Sequence, residues 1–559
     1  MKRLTLLLVL TMTAAPETVA QDVSGLASQK PFGIRGGVDV RLIGYSANGM
    51  AARRSPFSYV ISGSPILNIY GIEVPFSFTY SEQQRSFSQP FNQFGISPTY
   101  KWVTLHGGYR NINFSPYTLA GHTLLGGGVE LKPGKLRLGF MTGRLNRATT
   151  IDTTTGTLQP FSFSRYGTAA RIGYGTQNSY FDLSVLSAKD SEKGFMGSLD
   201  SGHVRPASNV VIGTEMKITF AQKFFVFMDA GLSLYTRDYQ STQEIFSQEE
   251  DQRYLNFLNK IIRVNATSEY YLAYSGGVGF RDRNFSLNVA YKHVDPRFES
   301  MGAYFFQNDL NSITIAPTLN ALKGRLRLAG SLGIQEDNTM KQKEATTRRI
   351  IGMANISWDI TDKVGLDANY VNFSTNSQPT VTLVENKYLL TQTNNNLSFT
   401  PRLILPGENT TQVLILSYNL SDLTDLNQET QLRNDITSSV AFLSHTLTLN
   451  RLGLSLMSGL NYISNRMSVG TVNNYGVSLG AARSFSKVQL STQNSWMATR
   501  TPGTTGSILN LGGSLTYQPV KKHRVSLRFN YLSNAPGTEG GSRQRFAETT
   551  GELGYGLSF

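Results

Sequence analysis

The sequence contains no cysteine, which removes disulfides, thiolate metal sites, cysteine nucleophiles and a lipid-modified N-terminal cysteine together. A disulfide-stapled module and a lipoprotein are thereby excluded. Charged residues are few, 16% of 559, yet the mean hydropathy of -0.21 is far too polar for a bundle of membrane helices. No run of residues approaches the roughly 20 consecutive apolar positions that a membrane-crossing helix requires.

The first twenty residues have a basic start at Lys2 and Arg3, an apolar stretch from Leu4 to Met12, and small residues leading to Ala20. Such a stretch reads as a secretory leader over residues 1–20, too short in its apolar part to be an anchor. Residues 21–32 then form a short segment before the patterned region, leaving no room for an N-terminal plug domain or a passenger. The formal net charge is +14, or +13 once Lys2, Arg3 and Glu17 leave with the leader. A positive balance favours anionic surroundings. The basic residues are spread along the chain, not clustered, so nucleic acid is not an expected partner; lipopolysaccharide phosphates suit an exported protein better.

Glycine is abundant at 52 residues, as are tyrosine at 26 and phenylalanine at 31. From residue 33 to 559 the chain alternates with period two in segments of about ten residues, the length of a tilted strand in a membrane barrel. In the segment RLRLAGSLGI, Leu326, Leu328, Leu332 and Ile334 share one face while Arg327, Ala329, Ser331 and Gly333 share the other. Val525, Leu527, Phe529 and Tyr531 oppose Ser526, Arg528 and Asn530, and Leu136, Leu138 and Phe140 oppose Arg137, Gly139 and Met141. Short turns, such as 132–135, 222–223, 282–284 and 323–324, alternate with longer polar connections, such as 146–162, 189–207, 238–269 and 296–312, and with shorter ones near residues 46, 82, 111, 336, 464 and 498. That asymmetry predicts hairpins with tight turns on one side of a membrane and loops on the other. The count gives about 26 strands, within a range of 22 to 28, and is softest over 55–104, where Pro65, Pro75 and Pro98 interrupt the pattern.

The chain ends GELGYGLSF, with Leu553, Tyr555, Leu557 and Phe559 alternating with Glu552, Gly554, Gly556 and Ser558. Together with the leader and the repeated hairpins, this ending resembles the bacterial outer-membrane β-barrel class. The resemblance implies an all-β fold, a large antiparallel transmembrane barrel exported to the outer membrane of a Gram-negative cell. It also implies that the terminal aromatic set is read by the barrel-assembly machinery.

A barrel of this size needs something in its lumen. The longest connection offers an internal candidate: Ser247 and Glu250 form a capping box, and Tyr254, Phe257, Leu258, Ile261 and Ile262 recur at helical spacing. An amphipathic helix over 246–264 is therefore expected, acting as lid or plug or, equally, packing on neighbouring loops or docking a partner; a separate plug protein or a surface lipoprotein is the external alternative. Arg137, Arg327, Arg528, Glu548 and Glu552 fall on the inward register and are expected to line the lumen, where charges either tune selectivity or pair to stiffen the wall. The aromatic stretch 294–309, with Phe298, Tyr304, Phe305 and Phe306, suits either an exposed binding surface or, in slight preference, two strand ends in an interfacial belt.

Enzyme motifs are weak. GVSLG at 476–480 has the spacing of a nucleophile elbow, but Ser478 lies inside an alternating strand with no helix after it. The six histidines show no metal spacing, and Gly126 to Gly128 lack the lysine of a phosphate loop. No cofactor is expected, and the functional expectation is a channel or a transport or secretion barrel. A structural barrel anchoring a surface partner is the alternative, with a membrane-embedded hydrolase behind both.

Overall fold

The computed structural model describes residues 31–70, 72–81, 93–148, 162–192, 205–243, 259, 262–303, 307–343, 345–379, 391–425, 435–468, 470–536 and 545–559. Each strand pairs antiparallel with its neighbours in sequence, and the last strand, Phe546–Ser558, pairs with Gly37–Asn48 to close the sheet on itself. Three of the first four strands are interrupted once: Phe32–Arg35 continues as Gly37–Asn48, Phe57–Gly63 as Ile66–Ile69, and Gln93–Ile96 as Thr99–Tyr100. With each interrupted pair taken as one strand, the barrel has 26 strands, as the hairpin pattern predicts.

The interruptions explain why the pattern was hard to read there. Gly36, with φ +112, lies against Ser64 and Pro65. Phe76 donates its backbone N–H to the Pro65 carbonyl at 2.9 Å, Ser97 donates to Pro75 at 3.1 Å, and Leu105 donates to Pro98 at 2.9 Å. A line of kinks thus crosses these strands near the seam, and the prolines, which cannot donate to a ladder, take part through their carbonyls. Closure itself begins at Gly37 opposite Ser558, a few residues later than the expected start at Gly33. Residues Phe32–Arg35 pair instead with Ile66–Ile69.

Side-chain alternation follows the register. In Tyr180–Ser191, Asp182, Ser184, Leu186, Ala188 and Asp190 are buried while Phe181, Leu183 and Val185 are exposed on the outer face. In Ser164–Gly175 the outer face carries Tyr166 and Tyr174, 51% and 64% exposed, with Thr168, Ala170 and Ile172 between them. Eight residues of tilted strand rise about 20 to 25 Å, so one tyrosine sits near each edge of the apolar band, as interfacial aromatics do.

Two expectations change. The connections expected near residues 464 and 498 lie a few residues later, at 468–469 and 502–503, since Leu454–Met467 and Gly470–Ser484 meet through two residues, and Val488–Thr501 and Thr504–Val520 likewise. Polar residues on both faces of these long strand ends look like loop in a sequence and are ladder in the fold. The lid helix expected over 246–264 is not supported: Tyr254, Phe257, Leu258 and Ile261 lie outside the described residues, and residues 262–264, which are described, are not helical, with Ile262 buried. Among the described residues there is no α-helix, only 3-10 turns at Leu322–Gly324 and Asn450–Leu452. None of the described helices is long and apolar enough to cross a membrane, which says nothing about strands.

Candidate functional site: an inward-folded constriction

The core of this protein lies inside the barrel, not between sheets. Two connections on the long-loop side, 112–122 and 295–303, turn inward and pack on the inner wall of the strands from Thr123–Leu131 to Ser268–Arg281. Phe114, Leu119 and Phe298 reach 1%, 0% and 0% exposure, the degree of burial found in soluble cores and not expected of loops at a rim. Tyr117 and Phe298 meet edge to face at 5.8 Å. Each such apolar side chain contributes roughly 1.5–3 kcal/mol of burial.

The wall is shaped to receive them. A Cβ placed on Gly139 would meet the Phe114 ring at 2.7 Å, one on Gly213 would meet Thr118 at 2.6 Å, and one on Gly231 would meet Tyr117 at 2.5 Å. These three inward-facing glycines, on Leu136–Asn146, Ser208–Phe220 and Phe224–Thr236, form a track on which the first loop lies. The loops also hold each other: Ser300 Oγ donates to the Thr118 carbonyl at 2.8 Å, Ala120 N to the Gly302 carbonyl at 3.0 Å, and Ala120 bridges Ala303 in parallel. Polar anchors tie the second loop to the wall, with Met301 N donating to Asn209 Oδ1 at 3.0 Å and Ser233 Oγ to the Glu299 carbonyl at 2.6 Å.

Beneath the first loop the inner wall is charged and paired. Arg171 contacts Glu130 at 2.8 Å and sits 5.0 Å from the Phe114 ring centroid. Arg137 faces Asp182 at 2.9 Å and lies 4.1 Å over Tyr180, whose hydroxyl donates to Glu215 at 2.5 Å. Nearer the outer end, Arg165 grips Asp190 at 2.8 and 3.3 Å, and Glu269 accepts from Arg237 at 2.7 Å and Arg297 at 3.2 Å. Arg165, Asp190, Arg237 and Glu269 border an open cleft of about 870 Å³.

Outside the strands, burial pushes the His122 imidazole down to about 4, against a smaller upward pull from the Thr123 carbonyl; the Arg165 charge adds to the lowering. Burial would raise Asp309, but Lys343 at 2.5 Å and the N–H groups of Thr339 and Asn338 outweigh it and hold the carboxyl below its ordinary value.

The structure places each sequence-derived candidate as follows. Arg137 contacts Asp182, Arg327 lies 3.8 Å from Asp359, Arg528 lies 3.6 Å from Glu552, and Glu548 accepts from the Tyr45 hydroxyl and lies 3.5 Å from Arg53. They occupy the inward register but do not converge; Arg137 alone borders the constriction. Leu553, Tyr555 and Phe559 are exposed on the outer face, and Leu557 is half-buried in the same row. The interfacial reading of 294–309 is corrected: Phe298 is inside the lumen, and Tyr304, Phe305 and Phe306 lie outside the described residues. Ser478 stands on the inward register in mid-strand. Among the described residues no three His, Asp or Glu side chains gather as a metal site.

Sequence reasoning missed 112–122 because Phe114, Tyr117 and Leu119 have neither strand nor helix period, and nothing local says that an apolar connection turns inward. The glycines were the available signal, since Gly139, Gly213 and Gly231 interrupt otherwise well-filled strands.

A closed antiparallel barrel with an apolar outer band and a polar, partly filled interior defines an outer-membrane β-barrel protein. No known family model matches the chain, and no curated protein is similar to it in sequence. Among solved structures it is similar to OccAB2 of Acinetobacter baumannii, at 9% identity over 64% of this chain and 92% of that one, with a TM-score of 0.29. It is similar to BauA, the ferric preacinetobactin receptor of the same organism, at 9% identity over 94% and 80%, TM-score 0.35. The third is the translocation pore of the P pilus usher PapC, at 9% identity over 94% and 99%, TM-score 0.35. With overlaps this low, the class rests on the strand order, the closure and the two faces of the wall.

Proposed function

We propose that the protein is an outer-membrane conduit, a channel or a transport or secretion barrel, whose bore is set by the loops 112–122 and 295–303 folded into it. The observation that carries this reading is the glycine track: three strands give up side chains at the positions where the first loop needs space. A barrel that served only as an anchor would not require 26 strands, since eight suffice. The leader directs export, the last strand is presented to the assembly machinery, and lipopolysaccharide surrounds the outer rim.

The test is single-channel conductance of the purified protein in planar bilayers, compared with a variant carrying Gly139→Leu and Gly231→Leu and with one in which 113–121 is replaced by a short Gly-Ser linker. Overpacking of this kind costs about 1–3 kcal/mol per site, enough to unseat the loop while the ladder remains. Both changes should raise conductance several-fold. Unchanged conductance would remove the bore-setting role from the loops, and no ion passage in any of the three would sink the conduit reading.

A further inference from the structure

The wall opposite the constriction differs from the rest in one respect, its charge. Across the six strands from Thr410–Asp425 to Thr504–Val520, the register fixes which residues face inward, because Leu416, Leu443, Leu460, Leu479, Trp496 and Leu511 are exposed on the outer face. The inward set is then serine, threonine, asparagine, glutamine and glycine interleaved with apolar residues such as Val413, Ile415, Phe442, Met457 and Met497, and its one ionisable member is Asp425 at the outer end. Arg466, Arg483 and Arg500 of the same strands fall on the outward register. Charge returns at the borders of this sector, with Arg402 against Asp367 on one side and Arg528 against Glu552 on the other.

Where the sector meets the next strand, His523–Ala535, the wall bears a groove of about 430 Å³, lined on its inward side by Ser491, Gln493, Ser495, Asn510, Ser514 and Asn530, with Arg528, paired with Glu552 at 3.6 Å, at its border. Gly512 forms part of its floor, and Leu532 adds an apolar edge. Some of these groups are paired: Ser491 and Ser514 share a hydrogen bond at 2.7 Å, and Asn510 Nδ2 donates to Ser495 Oγ at 3.3 Å. Gln493 and Asn530 are exposed to the lumen, and among the described residues neither side chain makes a hydrogen bond. Each amide offers two donors and one acceptor oxygen.

We propose that this sector is the substrate-facing wall of the conduit and that the groove binds an uncharged, hydroxyl-rich solute, a neutral saccharide. The proposal rests on the conduit reading for its transport role, and on the groove alone for its ligand. A charged solute entering the groove loses hydration and meets only Arg528, whose charge is already paired with Glu552, which is unfavourable. A saccharide exchanges its water hydrogen bonds for amide and hydroxyl partners, and its C–H faces match the apolar residues set among them.

The experiment uses the full chain in planar bilayers with three trisaccharides of similar size: maltotriose as the neutral probe, trigalacturonate as the acidic one and chitosan trimer as the basic one. Maltotriose should produce reversible current blocks, with the charged trimers at least several-fold weaker, and the double variant Gln493→Ala, Asn530→Ala should weaken the maltotriose block about tenfold. Equal or stronger block by a charged trimer, block by a neutral Gly-Ser peptide in place of maltotriose, or an unaffected double variant would each overturn the assignment. If neither the protein nor its loop-replaced form conducts, the conduit reading fails. Calorimetric titration of the solubilised barrel with maltotriose then decides the groove separately: binding lost in the double variant supports it, and no binding overturns it.

Discussion

At the scale of single residues the protein is governed by where side chains are withheld. Gly139, Gly213 and Gly231 have no special backbone conformation to serve; what they supply is room. Gly126 and Gly128 show the same logic within the wall, since a Cβ on Gly128 would meet Met141 Sδ at 2.3 Å. His122 is the titratable counterpart of this close fit. It is 3% exposed at the foot of the inward loop, and burial holds its folded value near 4, below the ordinary 6.5. The undocked loop therefore binds more protons than the docked one between pH 4 and about 6.5, so docking is at full strength above that window. Docking is lost progressively as pH falls through the window, by at most about 3 kcal/mol. Conductance noise from loop excursions should rise between pH 7 and pH 4.5 in the wild type, and His122→Gln should flatten that dependence. A pH profile identical in both proteins would refute the role given to His122.

Among elements, the two inward loops behave as one unit because neither has a complete set of partners without the other. The Thr118 carbonyl and Ala120 N–H are satisfied by Ser300 and Gly302, and Phe298 covers Tyr117. Replacing 296–302 with a Gly-Ser linker should therefore raise hydrogen exchange at residues 114–120 by an order of magnitude or more while the flanking strands stay protected; a first loop as protected as before would show that the two are independent. This is also where the sequence stops being legible. Strand number, the two faces and the inward register of Arg137, Arg327 and Arg528 can be read from alternation, because a period of two is imposed by local backbone geometry. An inward loop is imposed by distant contacts, Thr118 with Ser184 and Ser300 with Thr118, separated by 66 and 182 residues, and carries no period at all. The strand ends near 464 and 498 were misread for the opposite reason, since ladder pairing there persists without an apolar face to announce it.

For the molecule as a whole, the decisive event is closure. Gly37–Asn48 and Phe546–Ser558 pair over their full lengths, and Tyr45 and Arg53 reach across to Glu548, while Arg524 reaches Asp39 at 3.1 Å. Without that seam two strand edges would stand open in lipid, where each unsatisfied backbone group costs several kcal/mol, so deletion of 546–559 should abolish insertion outright. Phe559 poses a finer question. In the folded barrel it contributes one backbone hydrogen bond, from its N–H to the Gly36 carbonyl at 2.9 Å, and a ring 37% exposed at the rim. Its loss from the finished structure should cost on the order of 1–2 kcal/mol, small against the ladder of a whole barrel. A role as an assembly signal predicts something much larger, and only in cells. Removing Phe559 should leave refolding into liposomes nearly normal, measured by the heat-modifiable shift on gels, while surface assembly in cells falls at least tenfold. Normal assembly in cells would remove the signal role from the C-terminal set and leave Phe559 as a rim residue, whereas failure in both settings would mean that the last hydrogen bond of the seam matters far more than its geometry suggests.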